Sequence, residues 1–241
     1  MQRFQFCLTM ALMVSLMIGS ICYAGGIEPI PSLNNILRSS IPDKNNSPAT
    51  QEMEYSIKKF YYQIQYQDQK LQLLNEVKGH FETSISKAEE KYDEGEEDIS
   101  QSNITKLKLG LAGTLNDIFG VEADLQISRL SLFEILKSEY DPEAELLEPN
   151  ISPVEFDFAD YLDWSGQGSE LSRNISLKKA FLRVVEAKKK MLLVGKNRKI
   201  TRALLVSEVA NYDFGIGDSA DLFQALIIYT RVLSGYYDSV Y

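Results

Sequence analysis

The chain has 241 residues, of which 44% are hydrophobic, and its formal net charge is −9. An acidic protein repels phosphate groups, so we predict neither a nucleic-acid partner nor an anionic membrane surface as a ligand. His80 is the single histidine. A single histidine excludes most catalytic sites of the Ser-His and Cys-His types and most zinc sites. The sequence also contains no Gly-rich phosphate loop, so we predict no cofactor and no enzymatic activity.

The N-terminus has the pattern of an export signal. Arg3 precedes an uncharged apolar run over 6–21, and the small residue Ala24 is followed by two glycines. This layout predicts a signal peptide over 1–24 that is cleaved after Ala24. The alternative is a membrane anchor, but the run is shorter than the roughly 20 residues that a spanning helix needs. Both cysteines, Cys7 and Cys22, lie in this segment, so the mature chain would contain no disulfide.

A first helical hairpin is predicted over 53–140. Residues 25–52 are rich in Pro, Ser and Asn, which predicts an extended leader. After Met53, two seven-residue grids, one of six positions from Ile57 and one of five from Phe60, are mostly apolar, as in a coiled-coil seam. An acidic stretch containing Gly95 interrupts this pattern, and the seven-residue spacing then restarts and continues to about Lys137. Two long helices joined by a short polar turn form an antiparallel hairpin.

A second hairpin is predicted over 170–241, after an acidic linker over 141–169 that contains Pro and Gly. Trp164 and its aromatic neighbours in the linker are expected to pack on a helix rather than bind a ligand. The helical pattern after Leu171 allows a short interruption over 195–199, and a turn follows at Gly215. The lysines of the first helix of this hairpin are interpreted as a solvated face.

The linker also offers the only pattern that suggests catalysis. Asp157, Asp160 and Asp163 are three residues apart, which brings carboxylates together if the segment is helical. No histidine lies nearby in sequence, and acidic residues are abundant throughout the chain. We therefore interpret these carboxylates as solvated surface and keep a hydrolytic enzyme only as an alternative.

The two predicted turns share a four-residue sequence pattern, Tyr-x-x-Gly. Tyr92-Asp93-Glu94-Gly95 recurs as Tyr212-Asp213-Phe214-Gly215, and each copy separates an incoming helix from an outgoing one. The first turn continues to Ser100, and the second continues through Asp218 to the run Asp221-Leu222-Phe223-Gln224-Ala225. The run over 173–180 is placed where a second repeat would start. Over roughly 53–241 the sequence resembles the TolC family of outer-membrane efflux proteins.

That resemblance implies an all-α fold of two tandem TolC-like repeats, each a long antiparallel hairpin of the coiled-coil type. The family's membrane strands need about 9–11 alternating residues each, and the sequence shows no such pair, so we expect hairpins without an evident barrel. The resemblance further implies a homotrimer, an exported protein in the periplasm or at the cell outer membrane, and a periplasmic adaptor or other helical protein bound at the tips. The tip residues are Tyr92, Gly95, Asp98, Ser100, Tyr212, Gly215, Asp218 and Asp221.

Two functions remain open on this reading. The chain is either a transport-associated, TolC-like protein that acts by protein association, or a periplasmic scaffolding bundle that keeps the hairpins and has lost the channel. In the transport-associated case, acidic tips favour a partner with basic residues.

Overall fold

The computed structural model describes residues 28–41, 47–95, 99–138, 141, 144–158 and 160–241, and the predicted signal peptide lies outside these ranges. The described residues form helices, and their one β-type pairing is an isolated bridge between Ile30 and Leu146. The all-α class is therefore confirmed. The helices are α1 (Leu33–Ser40), α2 (Pro48–Asp93), α3 (Gln101–Leu136), α4 (Tyr161–Ser165), α5 (Ile175–Asp213) and α6 (Ser219–Val240), with a 3₁₀ turn at Leu171–Arg173.

The prediction of an extended leader over 25–52 is wrong in its described part. The helix α1 lies within it and buries Ile36, and α2 begins five residues before the predicted start at Met53. The side chain of Ser47 accepts a hydrogen bond from the Thr50 amide, and Pro48 occupies the first helical position. A serine N-cap followed by proline starts a helix well, because proline's fixed φ suits the first turn and its missing N–H is not needed there.

The helices α2 and α3 lie antiparallel along each other. Close to the turn that joins them, Lys108 pairs with Glu89 at 2.6 Å, and farther away Arg129 pairs with Asp68 at 3.6 Å. Of the eleven predicted seam positions on α2, seven are buried: Ile57, Ile64, Gln67, Leu74, Phe81, Ile85 and Ala88. The seven-residue spacing therefore located most of the face that α2 buries.

The helices α5 and α6 form the second antiparallel pair. The guanidinium of Arg198 lies 4.2 Å from the ring centroid of Tyr236. The interruption allowed for 195–199 does not occur, because α5 runs unbroken from Ile175 to Asp213. Gly195 costs helix stability, but a single glycine within 39 residues is not enough to end a helix.

Two hydrophobic cores hold the helices together. The first joins all four long helices near the turns, and the rings of Phe81 on α2 and Phe223 on α6 lie 6.1 Å apart within it. The second joins α1, the start of α2, the end of α3 and the segment around Leu146 at the opposite end. Between them α2 buries Gln65 and Gln67 beside the Asp68–Arg129 pair.

The linker folds onto α5. Phe181 is buried among the rings of Phe156, Tyr161 and Trp164, whose centroids lie 5.5–5.9 Å from its own. The ammonium of Lys188 on α5 donates to the carbonyl oxygen of Phe156. The linker is therefore not irregular throughout, because Tyr161 and Trp164 lie in α4 and its aromatic residues pack around Phe181 of α5. Trp164 lies in this aromatic packing, as expected from the sequence.

Candidate functional site

The two Tyr-x-x-Gly turns adopt the same local geometry. In each, the glycine N–H donates to the tyrosine carbonyl at 3.1 Å, from Gly95 to Tyr92 and from Gly215 to Tyr212. Both glycines have positive φ, 80° at Gly95 and 69° at Gly215. This left-handed conformation is open to glycine without steric cost, and it commonly ends a helix. The repeated Tyr-x-x-Gly pattern thus ends both helices in the same backbone conformation.

The outgoing helices start with matching caps, although their spacing from the glycine differs. The Ser100 side chain accepts from the Asn103 amide at 3.2 Å, five residues after Gly95. The Asp218 carboxylate accepts from the amides of Ala220 and Asp221, three residues after Gly215. Ser100 and Asp218 therefore have structural roles, because their side-chain oxygens satisfy amides that the helix leaves free. Asp221 contributes its backbone amide to the second cap, and its carboxylate lies in the first turn of α6. Asp98 lies outside the described residues.

The fold brings the two turns side by side at one end of the molecule, which we call the tip end. Lys87, at the end of α2, pairs with Asp213 at 2.5 Å, immediately before the second turn. The Tyr212 hydroxyl donates to the Ser84 carbonyl at 3.2 Å. A Cβ placed on Gly215 would lie 3.5 Å from the Lys91 ammonium nitrogen. The end of α2 and the second turn are thus joined by direct contacts.

The equivalent tyrosines of the two turns have different surroundings. Tyr92 is 45% exposed, whereas Tyr212 is only 2% exposed. Burial raises the pKa of the Tyr212 phenol, and the neighbouring Asp213 carboxylate raises it further. Tyr92 is therefore open to a partner, and Tyr212 instead fastens α5 to α2 inside the molecule.

The most exposed apolar side chains at the tip end are ones that the sequence did not single out. Phe214 is 78% exposed and Ile216 is 81% exposed, on either side of Gly215. The signal was present in the sequence, because Phe214 replaces the glutamate that stands at the equivalent place in the first turn. Together with Tyr92 and the carboxylates of Asp93 and Glu94, they give the tip end an apolar and acidic surface.

A shallow groove between α2 and α5 reaches the tip end. Leu205 and Val209 form its apolar wall, and Phe214 stands at its mouth. His80 and Arg202 also line it. The Glu76 carboxylate accepts a hydrogen bond from the Tyr229 hydroxyl at 3.0 Å. Burial, followed by this hydrogen bond, raises the pKa of Tyr229 to about 12.

Two of the three carboxylates considered for catalysis have structural partners, and Asp163 lies in the first turn of α4. Asp160 caps α4 through the Leu162 amide, and Asp157 lies 3.2 Å from the Lys188 ammonium. Among the described residues, no three His, Cys, Asp or Glu side chains are grouped so that they could hold a metal ion. Within the same ranges, none of the helices combines the length and apolar character needed to span a membrane.

Comparison of the chain with family models, with curated proteins and with solved structures gave no match.

Proposed function

We propose that this chain is an exported, transport-associated helical protein that resembles the TolC family and acts by protein association at its tip end. In this proposal the helical pairs are two tandem repeats of the coiled-coil type, and the protein acts in the periplasm or at the cell outer membrane. Its partner is a periplasmic adaptor or another helical protein with basic residues.

The observation that carries the proposal is the pair of adjacent turns with identical hydrogen bonding. Exposed turns tolerate many backbone conformations, so the recurrence of one conformation in both turns supports a surface built for recognition. The Lys87–Asp213 pair holds the end of α2 against the second turn. Phe214 and Ile216 supply apolar anchors, which carry most of the binding energy at protein interfaces. The surrounding carboxylates would orient a basic partner.

The alternative is a periplasmic scaffolding bundle that has lost the channel function. It is favoured by the same long helices and by the two cores, which need no partner to be buried. Fractionation followed by light scattering separates the two readings. A trimer that needs detergent supports a transport component, and a soluble monomer in the periplasmic extract supports a scaffold.

The tip surface is tested by placing a photo-crosslinking amino acid at Ile216 in the exported protein. A matched probe replaces Val154, which is similarly exposed but lies in the linker. We expect a discrete crosslinked partner from position 216 alone. Gly215→Val should abolish this crosslink, because a β-branched residue is strained at a φ of 69°. Equal crosslinking from both positions, or no effect of Gly215→Val, would count against the proposal.

A further inference from the structure

The positive charge of this acidic protein is concentrated on one helix. The helix α5 contains ten of the 25 Lys and Arg residues and only three Asp or Glu, so its formal charge is +7 in a chain of −9. Within α5, residues 187–207 include seven basic residues and no acidic one. We call these residues the basic segment, and at 1.5 Å per residue it is about 31 Å long. The expectation against an anionic surface rested on net charge, which averages over faces of opposite sign.

One side of the basic segment presents lysines and large apolar side chains together. These six residues are three or four positions apart, so they share one side of the helix, and we call them the outer face of α5: Lys189, Leu192, Leu193, Lys196, Lys199 and Ile200. All six are exposed, with Leu193 at 63% and Ile200 at 69%. The buried residues Thr201 and Leu205 lie on the other side of the helix.

Acidic groups beside the basic segment do not neutralise its outer face. Glu186, the residue before the segment, lies 2.7 Å from the Lys190 ammonium and 2.8 Å from the Arg183 guanidinium. Asp157 of the linker lies 3.2 Å from the Lys188 ammonium. Glu208, the residue after the segment, is half-buried and lies on the side of α5 that is packed. The three lysines of the outer face therefore keep their positive charge available to a ligand.

Alternating ammonium groups and aliphatic side chains fit an anionic lipid surface. Lysines are attracted to phosphate headgroups, and their stems, with neighbouring leucine and isoleucine, enter the boundary between headgroups and acyl chains. A nucleic-acid backbone also attracts lysine, but it offers no apolar region in which Leu193 and Ile200 could be buried. The helix is unbroken and packs mainly on α6, so its outer face can lie along a plane.

We propose that α5 binds the surface of an anionic phospholipid membrane through its outer face and lies along that surface without crossing it. Charge complementarity brings the basic segment of an otherwise acidic protein to the headgroups. Ile200 lies 13 residues, or about 20 Å, before the end of α5, so the tip end stays accessible to a protein partner. This inference does not depend on the tip proposal.

Binding to lipid vesicles tests the proposal. The protein is purified from cells that export it and is mixed with vesicles of phosphatidylcholine alone, or of phosphatidylcholine and phosphatidylglycerol in equal parts. Bound protein is measured by cosedimentation. We expect binding to the mixed vesicles only, and weaker binding as sodium chloride is added, because salt screens the attraction. Absence of binding to the mixed vesicles, or equal binding to both kinds, would overturn the proposal.

Charge reversal locates the contact. Lys189→Glu with Lys196→Glu should weaken binding at least about 25-fold, because each lysine at an anionic surface contributes about a factor of five. Lys59→Glu with Lys106→Glu changes the net charge equally at exposed positions on α2 and α3 and should have a much smaller effect. All variants have the same N-terminus, so any contribution of the first 24 residues is common to them. An equal loss in both pairs would refute binding through α5.

Serine substitutions test whether apolar side chains enter the lipid. Leu193→Ser with Ile200→Ser should weaken vesicle binding at least about tenfold, whereas Leu109→Ser with Ile127→Ser, at similarly exposed positions on α3, should bind normally. Full binding by the α5 serine variant, or equally tight binding of the wild type to a DNA duplex, would indicate a general polyanion site and contradict the proposal. Circular dichroism must show unchanged helicity in every variant. Crosslinking from position 216 should persist in the lysine variants, so failure of the tip proposal would be recognised separately.

Discussion

Gly110 on α3 offers the sharpest test of how the four long helices pack. A Cβ built on this glycine would lie 2.7 Å from two atoms of the Phe81 ring and 2.8 Å from the Phe223 ring. Carbon atoms pack comfortably at about 3.5–4.0 Å, so the methyl group needs close to 1 Å of additional room. Phe81 is fully buried, so any shift of its ring would disturb the side chains packed around it.

The magnitude follows from a comparison within the same helix. Gly113 is three residues away, and nothing lies within 4 Å of a Cβ built on it. Replacement of either glycine by alanine should gain about 1 kcal/mol of helix propensity. Only Gly110→Ala also overfills the core, which costs about 1–3 kcal/mol. We therefore expect Gly113→Ala to stabilise the protein and Gly110→Ala to be less stable than it by about 1–3 kcal/mol.

Urea unfolding followed by circular dichroism measures both variants, and equal m-values ensure that the midpoints report stability. A second comparison removes the obstacle: Phe223→Leu in the Gly110→Ala background should recover part of the loss. Equal stabilisation by the two alanines would refute the close packing of α3 against α2 and α6 at this level.

Three further predictions concern single groups. Tyr212→Phe removes the hydroxyl that donates to Ser84 and should cost about 0.5–1.5 kcal/mol in urea unfolding, whereas Tyr92→Phe at the exposed equivalent should be neutral. Ser100→Ala should cost about 1 kcal/mol by removing the cap of α3, whereas Ser102→Ala should have little effect. The pKa of Tyr229 is raised to about 12, so its stabilising contribution is complete below pH 10 and is lost as the pH rises to 12. Tyr229→Phe should flatten that fall in unfolding free energy.

The local structure of this protein was largely predictable from its sequence because it depends on neighbouring residues. The seven-residue spacing located most of the buried face of α2, and the turn glycines adopt the conformation that glycine permits most easily. The start of α2 was missed because Ser47 and Pro48 lie in a stretch whose composition resembles a loop, although together they form a good N-terminal cap.

The long-range contacts were not predictable in the same way. Repetition of Tyr-x-x-Gly predicted two similar turns but not that the end of α2 contacts the second turn, since the Lys87–Asp213 pair joins residues 126 positions apart in sequence. The same limit applies to the lysines of α5. Their spacing predicted a solvated face, yet the ammonium of Lys188 donates to the carbonyl oxygen of Phe156 in the linker.

The contrast between Tyr92 and Tyr212 shows how one motif can serve two purposes. Both tyrosine carbonyls accept the same hydrogen bond from a glycine amide, so the backbone of the turn uses the tyrosine only as a helical residue. The side chain is then free to differ. Tyr212 faces α2 and fastens the helix pairs together, whereas Tyr92 lies in the last turn of α2 and is 45% exposed. When two helix pairs with the same turn pack against each other, their tips become unequal, because one tyrosine becomes part of the contact and the other remains exposed.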